Sequence, residues 1–268
     1  MHLLDIKQLS GEDITSIFNI SSDLQQKKET RRLEGKTFAL FFPETSLRTR
    51  VTFEKGIKDL GGECILFPPE TLDRREQLTD TIKYMENWVD GIVVRHSDFS
   101  KIEEMARHSV IPIINAMSSY NHQCEILADL FSISKLKANY KELVYTFVGP
   151  AGNISRSWAN IAKVMNLKFN HVCVVGNELI EQSPTYKFHT ELEEILMGSD
   201  VVLTDSLPSQ FRTADYIEKY QITLERMKLT KKHSILNPCP MDAANNLQTA
   251  LIRPQLAWRA FQSQMKAR

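Results

Sequence analysis

The sequence predicts an α/β protein of two domains, each a parallel sheet covered by helices, with a C-terminal helix packing back on the first domain. Three observations carry this. Short β-like runs alternate with amphipathic helical segments along the chain, which favours helix-covered parallel sheets over hairpins. The alternation falls into two series, one before and one after about Leu136, joined by the polar stretch "KLKANYKE". With 268 residues, 42% of them hydrophobic, the chain has enough apolar material for two cores.

In chain order, the strand candidates are Thr37–Phe42, Glu63–Phe67, Gly91–Val94, Ile111–Asn115, Leu143–Val148, His171–Val175, Val201–Thr204 and Ser234–Asn237. Each is a short apolar run bounded by turn-forming or charged residues. The helical segments Thr49–Leu60, Thr79–Val89, Ile102–His108, Glu125–Leu136 and Ser155–Met165 lie between them. Domains of 1–136 and 137–250 follow, and 251–268 reads as a closing helix with a basic end. Sheets of this type bind ligands at the carboxyl ends of their strands.

Composition narrows the function. Lys+Arg and Asp+Glu both number 33, and no basic stripe is visible, so a nucleic-acid partner is not expected. No apolar run reaches the length of a membrane span. The early residues "MHLLDIKQLSGEDI" lack the apolar core of a signal peptide. Cys64, Cys124, Cys173 and Cys239 are scattered singly. That spacing forms neither a disulfide framework nor a zinc site and fits a reducing cytoplasm.

Polar groups cluster just beyond the apolar runs. "LFFPETSLRTRVTFEKGI" passes from strand to helix through Ser46, Arg48, Thr49 and Arg50. The first turn of a helix presents N–H groups and partial positive charge, and hydroxyls with a guanidinium fork complete a phosphate cradle. An N-cap serine followed by surface arginines gives the same pattern. "GIVVRHSDF" ends a strand at Arg95 and His96, and "NAMSSYNHQCEILADL" sets His122 and Glu125 at a helix mouth. "TFVGPAGNISRSW" carries Gly149, Gly152 and Asn153, "VVLTDSLPSQF" carries Asp205, Ser209 and Gln210, and "SILNPCPM" carries Asn237 and Cys239. Each also has an ordinary structural reading, such as a turn cap at Asp205 or a first-turn carboxylate at Glu125.

Together these stretches resemble the aspartate and ornithine transcarbamoylase family. "SLRTRVTFE" is similar to S-T-R-T-R-x-S-F-E, "NHQCEILADL" to H-P-x-Q-x-L-x-D-L, and "FVGPAGNISRSW" to F-V-G-D-x-N-N-x-x-x-S-W. "DVVLTDSLPSQ" resembles the ornithine branch's D-V-V-x-T-D-x-x-x-S-M, and "ILNPCP" stands where the family has H-C-L-P or H-P-L-P. The resemblance implies a homotrimer with shared active sites, using neither metal nor cofactor. Carbamoyl phosphate would be held by Ser46, Leu47, Arg48, Thr49, Arg95 and His122, with Glu125, Arg74, Cys239 and Arg253 at its edges. Arg48, Arg95 and His122 would be the catalytic groups. Asn153, Asp205, Ser209, Gln210 and Pro238 would receive the amino-acid acceptor, and Asp205 favours an ammonium over a second carboxylate. The departures are Glu125 for glutamine, Asn237 for histidine, Gln210 for methionine and Pro150 for aspartate.

Overall fold

The computed structural model describes residues 2–26, 31–230 and 235–236. The expected closing helix at 251–268, and with it Asn237, Pro238, Cys239 and Arg253, lies outside the described residues. The chain divides into two compact units, Met1–Glu125 and Ile126–Arg268.

The first unit holds α1 (Gly11–Gln26), β1 (Thr37–Phe41), α2 (Leu47–Asp59), β2 (Glu63–Phe67) and α3 (Leu78–Met85). It continues with β3 (Gly91–Arg95), α4 (Phe99–His108) and β4 (Ile113–Met117). The four strands are parallel in the order β2-β1-β3-β4. The central strand β3 is buried from Gly91 to Val94, as a strand covered on both faces must be. One face packs Ala39, Phe41, Ile92 and Val94 against Ile82, Ile102 and Met105, which lie on α3 and α4. The other packs Leu40, Val93 and Ala116 against Ile57 of α2. Each such fully buried side chain contributes about 1.5–3 kcal/mol. Gly91 leaves room for the Phe38 ring, because a Cβ there would lie 2.8 Å from it and force the ring to move.

The helix α5 (Gln123–Leu136) contains the division between the units. The second unit then runs through β5 (Val144–Val148), α6 (Asn153–Met165), β6 (Lys168–Val172), β7 (Tyr186–His189) and α7 (Leu192–Gly198). It ends with β8 (Val201–Leu203), α8 (Ala214–Tyr220), α9 (Leu224–Met227) and β9 (Ile235–Leu236). These strands are also parallel, in the order β7-β6-β5-β8-β9. Trp158 of α6 is 1% exposed and stacks on Tyr145 and Phe169, which anchors that helix to β5 and β6.

The expected α/β class and parallel sheets are what the chain forms, and Glu63–Phe67 matches β2 at both ends. The sixth run is corrected from His171–Val175 to Lys168–Val172, whose partners on β5 end at Val148↔Val172. The Val174-Val175 pair that drew the expectation onward lies beyond the strand, with Val175 78% exposed.

Strand order fixes where ligands can go. In the first sheet the chain moves from β1 outward to β2, then crosses to β3 on the other side of β1. The crevice beyond the carboxyl ends of β1 and β3 is therefore a topological switch point. In the second sheet the same reversal falls between β5 and β8.

Candidate active site

The turn after β1 is shaped by Pro43, whose carbonyl accepts from the Ser46 N–H at 2.9 Å. Ser46 is the N-cap of α2, yet its hydroxyl does not cap the helix. It accepts instead from Arg95 Nη1 at 2.9 Å, and the same nitrogen donates to Thr49 Oγ1 at 3.1 Å. Arg95 is the last residue of β3, so the switch point brings together two segments that the sequence keeps far apart. Ser46 is buried, whereas Leu47 and Arg48 are exposed in the first turn of α2. Backbone N–H groups there, with Arg48 beside them, supply donors and positive charge of the kind that suits an anion.

His122 is buried, and its Nε2 lies 2.7 Å from Glu125 Oε2, one helical turn on. Burial acts to raise the Glu125 carboxyl. The His122 hydrogen bond and charge, with Arg48 and Arg95, outweigh it and hold the carboxyl below its ordinary range. Burial lowers the Arg95 pKa; Glu125 opposes this and Arg48 adds to it. Arg48, Arg95, His122 and Glu125 thus form one electrostatic cluster in the first unit, with Ser46 and Thr49 inside it.

Sequence reasoning missed what holds His122 in place. Asn115, fully buried on β4, donates to Asn121 Oδ1 at 2.7 Å and to the Leu4 carbonyl at 3.1 Å. Ser118 Oγ donates to Asn121 Oδ1 at 2.9 Å, and Gln123 Nε2 donates to the Asn115 carbonyl at 2.5 Å. Buried polar groups are tolerated only when bonded, so the polar run "NAMSSYNHQ" at a strand end was the available signal.

A cavity of about 280 Å³ opens beside Arg95, lined by Pro43, Glu70, Asp73, His96 and Ser118 among others. His96 Nδ1 accepts from the Asp98 N–H at 3.0 Å, so its hydrogen sits on Nε2, 3.1 Å from Asp73 Oδ1. Lys101 also pairs with Asp73 and is the leading cause of that carboxyl's lowered pKa. His96 therefore fixes the turn Pro69–Asp73, after which comes the exposed Arg74.

In the second unit, β5 is followed by Gly149, whose φ of +151° suits glycine. Asn153 then opens α6, with its Oδ1 accepting from the Ile154 N–H at 2.9 Å. Asp205 follows β8 and its Oδ1 accepts from the Ser206 N–H at 2.7 Å. Ser209 and Gln210 are exposed in the turn Ser209–Phe211. Because β5 and β8 are neighbours in register, these loops share one edge of the second sheet.

A family model described as the carbamoyl-P binding domain of aspartate/ornithine carbamoyltransferase matches residues 1–135. The ornithine carbamoyltransferase of Carboxydothermus hydrogenoformans is 32% identical over 260 residues, covering 88% of this chain and 84% of that one. Its counterpart from Geobacter sulfurreducens is 32% identical over 219 residues, covering 76% and 72%. Among solved structures, the Thermus thermophilus ornithine carbamoyltransferase superposes with a TM-score of 0.80 at 26% identity, covering 89% and 85%. The Pyrococcus furiosus ornithine carbamoyltransferase gives 0.81 at 25%, covering 89% and 84%. The chain belongs to the aspartate/ornithine carbamoyltransferase family.

Proposed function

We propose that the protein transfers a carbamoyl group from carbamoyl phosphate to the amine of ornithine or a related diamino acid. The observation that carries this is the convergence of Arg95 on Ser46 and Thr49, with Arg48, His122 and Glu125 around them. The α2 N-terminus and Arg48 receive the phosphate. Arg95 and His122 donate to the carbamoyl oxygen, where negative charge grows as the amine attacks the carbonyl carbon. The C–O bond to phosphate then breaks with its electron pair going to the phosphate oxygen. The departing phosphate, still held by the groups arranged around it, takes up the proton that the attacking amine loses. Positioning and charge stabilisation supply the rate.

Residues 1–136 are the donor domain in this reading and 137–250 the acceptor domain. Asp205 takes an ammonium of the acceptor, while Asn153, Ser209 and Gln210 take its remaining polar groups. Family membership supports a homotrimer, with Arg74 offered to a neighbour from its exposed turn. Cys64, Cys124 and Cys173 are free thiols, which supports a cytoplasmic setting. No described helix is long and apolar enough to cross a membrane.

Calorimetric titration with carbamoyl phosphate, followed by an acceptor panel in its presence, tests the proposal. Donor binding and turnover with ornithine or another diamine are expected. Folded protein that binds no carbamoyl phosphate would sink it. Glu125 favours a second reading, a same-fold transferase using another acyl phosphate, and a donor panel separates the two.

A further inference from the structure

Glu125 stands where the family motif has glutamine, and its carboxylate Oε2 lies 2.7 Å from His122 Nε2. An ionised carboxylate has no hydrogen to give, so the hydrogen of this bond belongs to Nε2. Nε2 carries one hydrogen only. In the proposed reaction that hydrogen goes to the carbamoyl oxygen of the donor. An amide at this position would compete for it weakly; a carboxylate accepts it in a charge-assisted bond of about twice the strength. Arg95 binds Ser46 and Thr49 through Nη1 and can still donate to the carbamoyl oxygen from Nη2 or Nε. It cannot supply the hydrogen that His122 Nε2 gives to Glu125, so the competition for that hydrogen stands.

We infer that Glu125 is an internal competitor of the donor: carbamoyl phosphate binds by displacing Glu125 from His122, and the strength of that pair sets donor affinity. The inference rests on the reading that His122 meets the carbamoyl oxygen. Once displaced, the carboxylate can accept an N–H from the carbamoyl amine. A donor carrying an N–H beside its carbonyl regains part of the cost, and one lacking it regains none. Glu125 therefore selects donors as well as weakening them.

The test compares inorganic phosphate with carbamoyl phosphate in wild type, Glu125→Gln, His122→Gln and the double variant, by calorimetry. Both ligands are anions, so removing the Glu125 charge tightens both. Only carbamoyl phosphate needs the His122 N–H. Glu125→Gln should therefore tighten carbamoyl phosphate roughly tenfold more than phosphate, the scale of one hydrogen bond to a charged group. In the His122→Gln background this excess should vanish. Phosphate binding with no such excess, or an excess that persists without His122, would overturn the inference while leaving the phosphate cradle standing. No binding of either ligand to any variant would overturn both.

Discussion

At the rim of the first sheet, side chains are tied to partners far along the chain. Arg95 donates to Ser46 and Thr49, separated from it by 49 and 46 residues. Asn115 reaches Leu4, 111 residues away, and so steadies the loop that carries His122. At the rim of the second sheet, Asn153 bonds the next residue's N–H, and so does Asp205. Each rim lies at the switch point of its own sheet, and the bonds named at the first span 46 to 111 residues whereas those named at the second join neighbours in the chain. The first arrangement suits an invariant ligand, because the cost of orienting donors is met when the domain folds. The second suits a ligand that differs between relatives, because a loop can change without disturbing the sheet.

Removing groups from the first rim should therefore be severe and specific. Arg48→Ala is expected to carry donor binding below detection, since each lost charge-assisted bond to phosphate is worth about 1.5–3 kcal/mol. Arg48 is exposed, so stability should move by no more than about 0.5 kcal/mol. Calorimetry and a thermal melt check both halves, and phosphate affinity within threefold of wild type would remove Arg48 from the site. Arg95→Lys is the next largest effect. The charge stays, but an ammonium holding both hydroxyls has one donor left, whereas Arg95 holds them through Nη1 and keeps the Nη2 and Nε donors for a ligand. Donor affinity should fall roughly 10- to 30-fold, about one neutral-to-charged bond. An unchanged affinity would mean that the contacts of Arg95 with Ser46 and Thr49 do not prepare the site.

The same contrast governs what could be read from the sequence. The strands β1, β3, β4 and β5 announce themselves as apolar runs because most of their residues are buried, and β2 does so as an apolar edge strand whose Ile65 and Leu66 stay exposed. The motif residues Ser46, Arg48, Arg95 and His122 fall just beyond such runs, where parallel sheets keep their sites. What stayed hidden depends on three-dimensional pairing. Nothing local says that the Ser46 hydroxyl leaves its helix cap for Arg95, or that Asn115 and Asn121 share the Leu4 carbonyl. The strand β7, "YKFH", is short and mixed in polarity, and as an edge strand it need not be apolar on both faces. Likewise α1 was not anticipated: only Ile14 and Phe18 are buried along its 16 residues, which leaves a faint periodicity.

On the loop-built rim, Asp205→Asn offers a cleaner separation of the two substrates. The amide keeps the shape and can still accept from the Ser206 N–H, but loses the charge that would hold an ammonium. The acceptor KM should rise roughly tenfold, the scale of one charge-assisted bond, with donor affinity unaltered. A matching loss of donor affinity would show that the two rims are not independent, and the contrast drawn above would fail.

The smallest effect concerns what backs the loop-built rim from below. His171 is fully buried on β6, and its Nε2–H donates to the Gly149 carbonyl at 2.8 Å. Its Nδ1 must then accept, and the Tyr186 hydroxyl stands 3.2 Å away. The ring is neutral. Burial drives its pKa from 6.5 down to about 4, against the opposing pull of the Gly149 carbonyl and the charge of Glu178. The unfolded chain takes up a proton near pH 6.5 that the folded chain refuses until about pH 4. The contribution of His171 is thus intact above pH 6.5 and is lost as pH falls towards 4, by up to about 1.4 kcal/mol per pH unit. His171→Phe cannot titrate, so the variant's unfolding free energy should fall less steeply than wild type's between pH 6.5 and 4.5, whatever its absolute stability. Denaturant titrations across that window measure the difference. Equal slopes would mean that burial does not hold His171 neutral, because a ring that titrates alike in the folded and unfolded chain adds no pH dependence to stability.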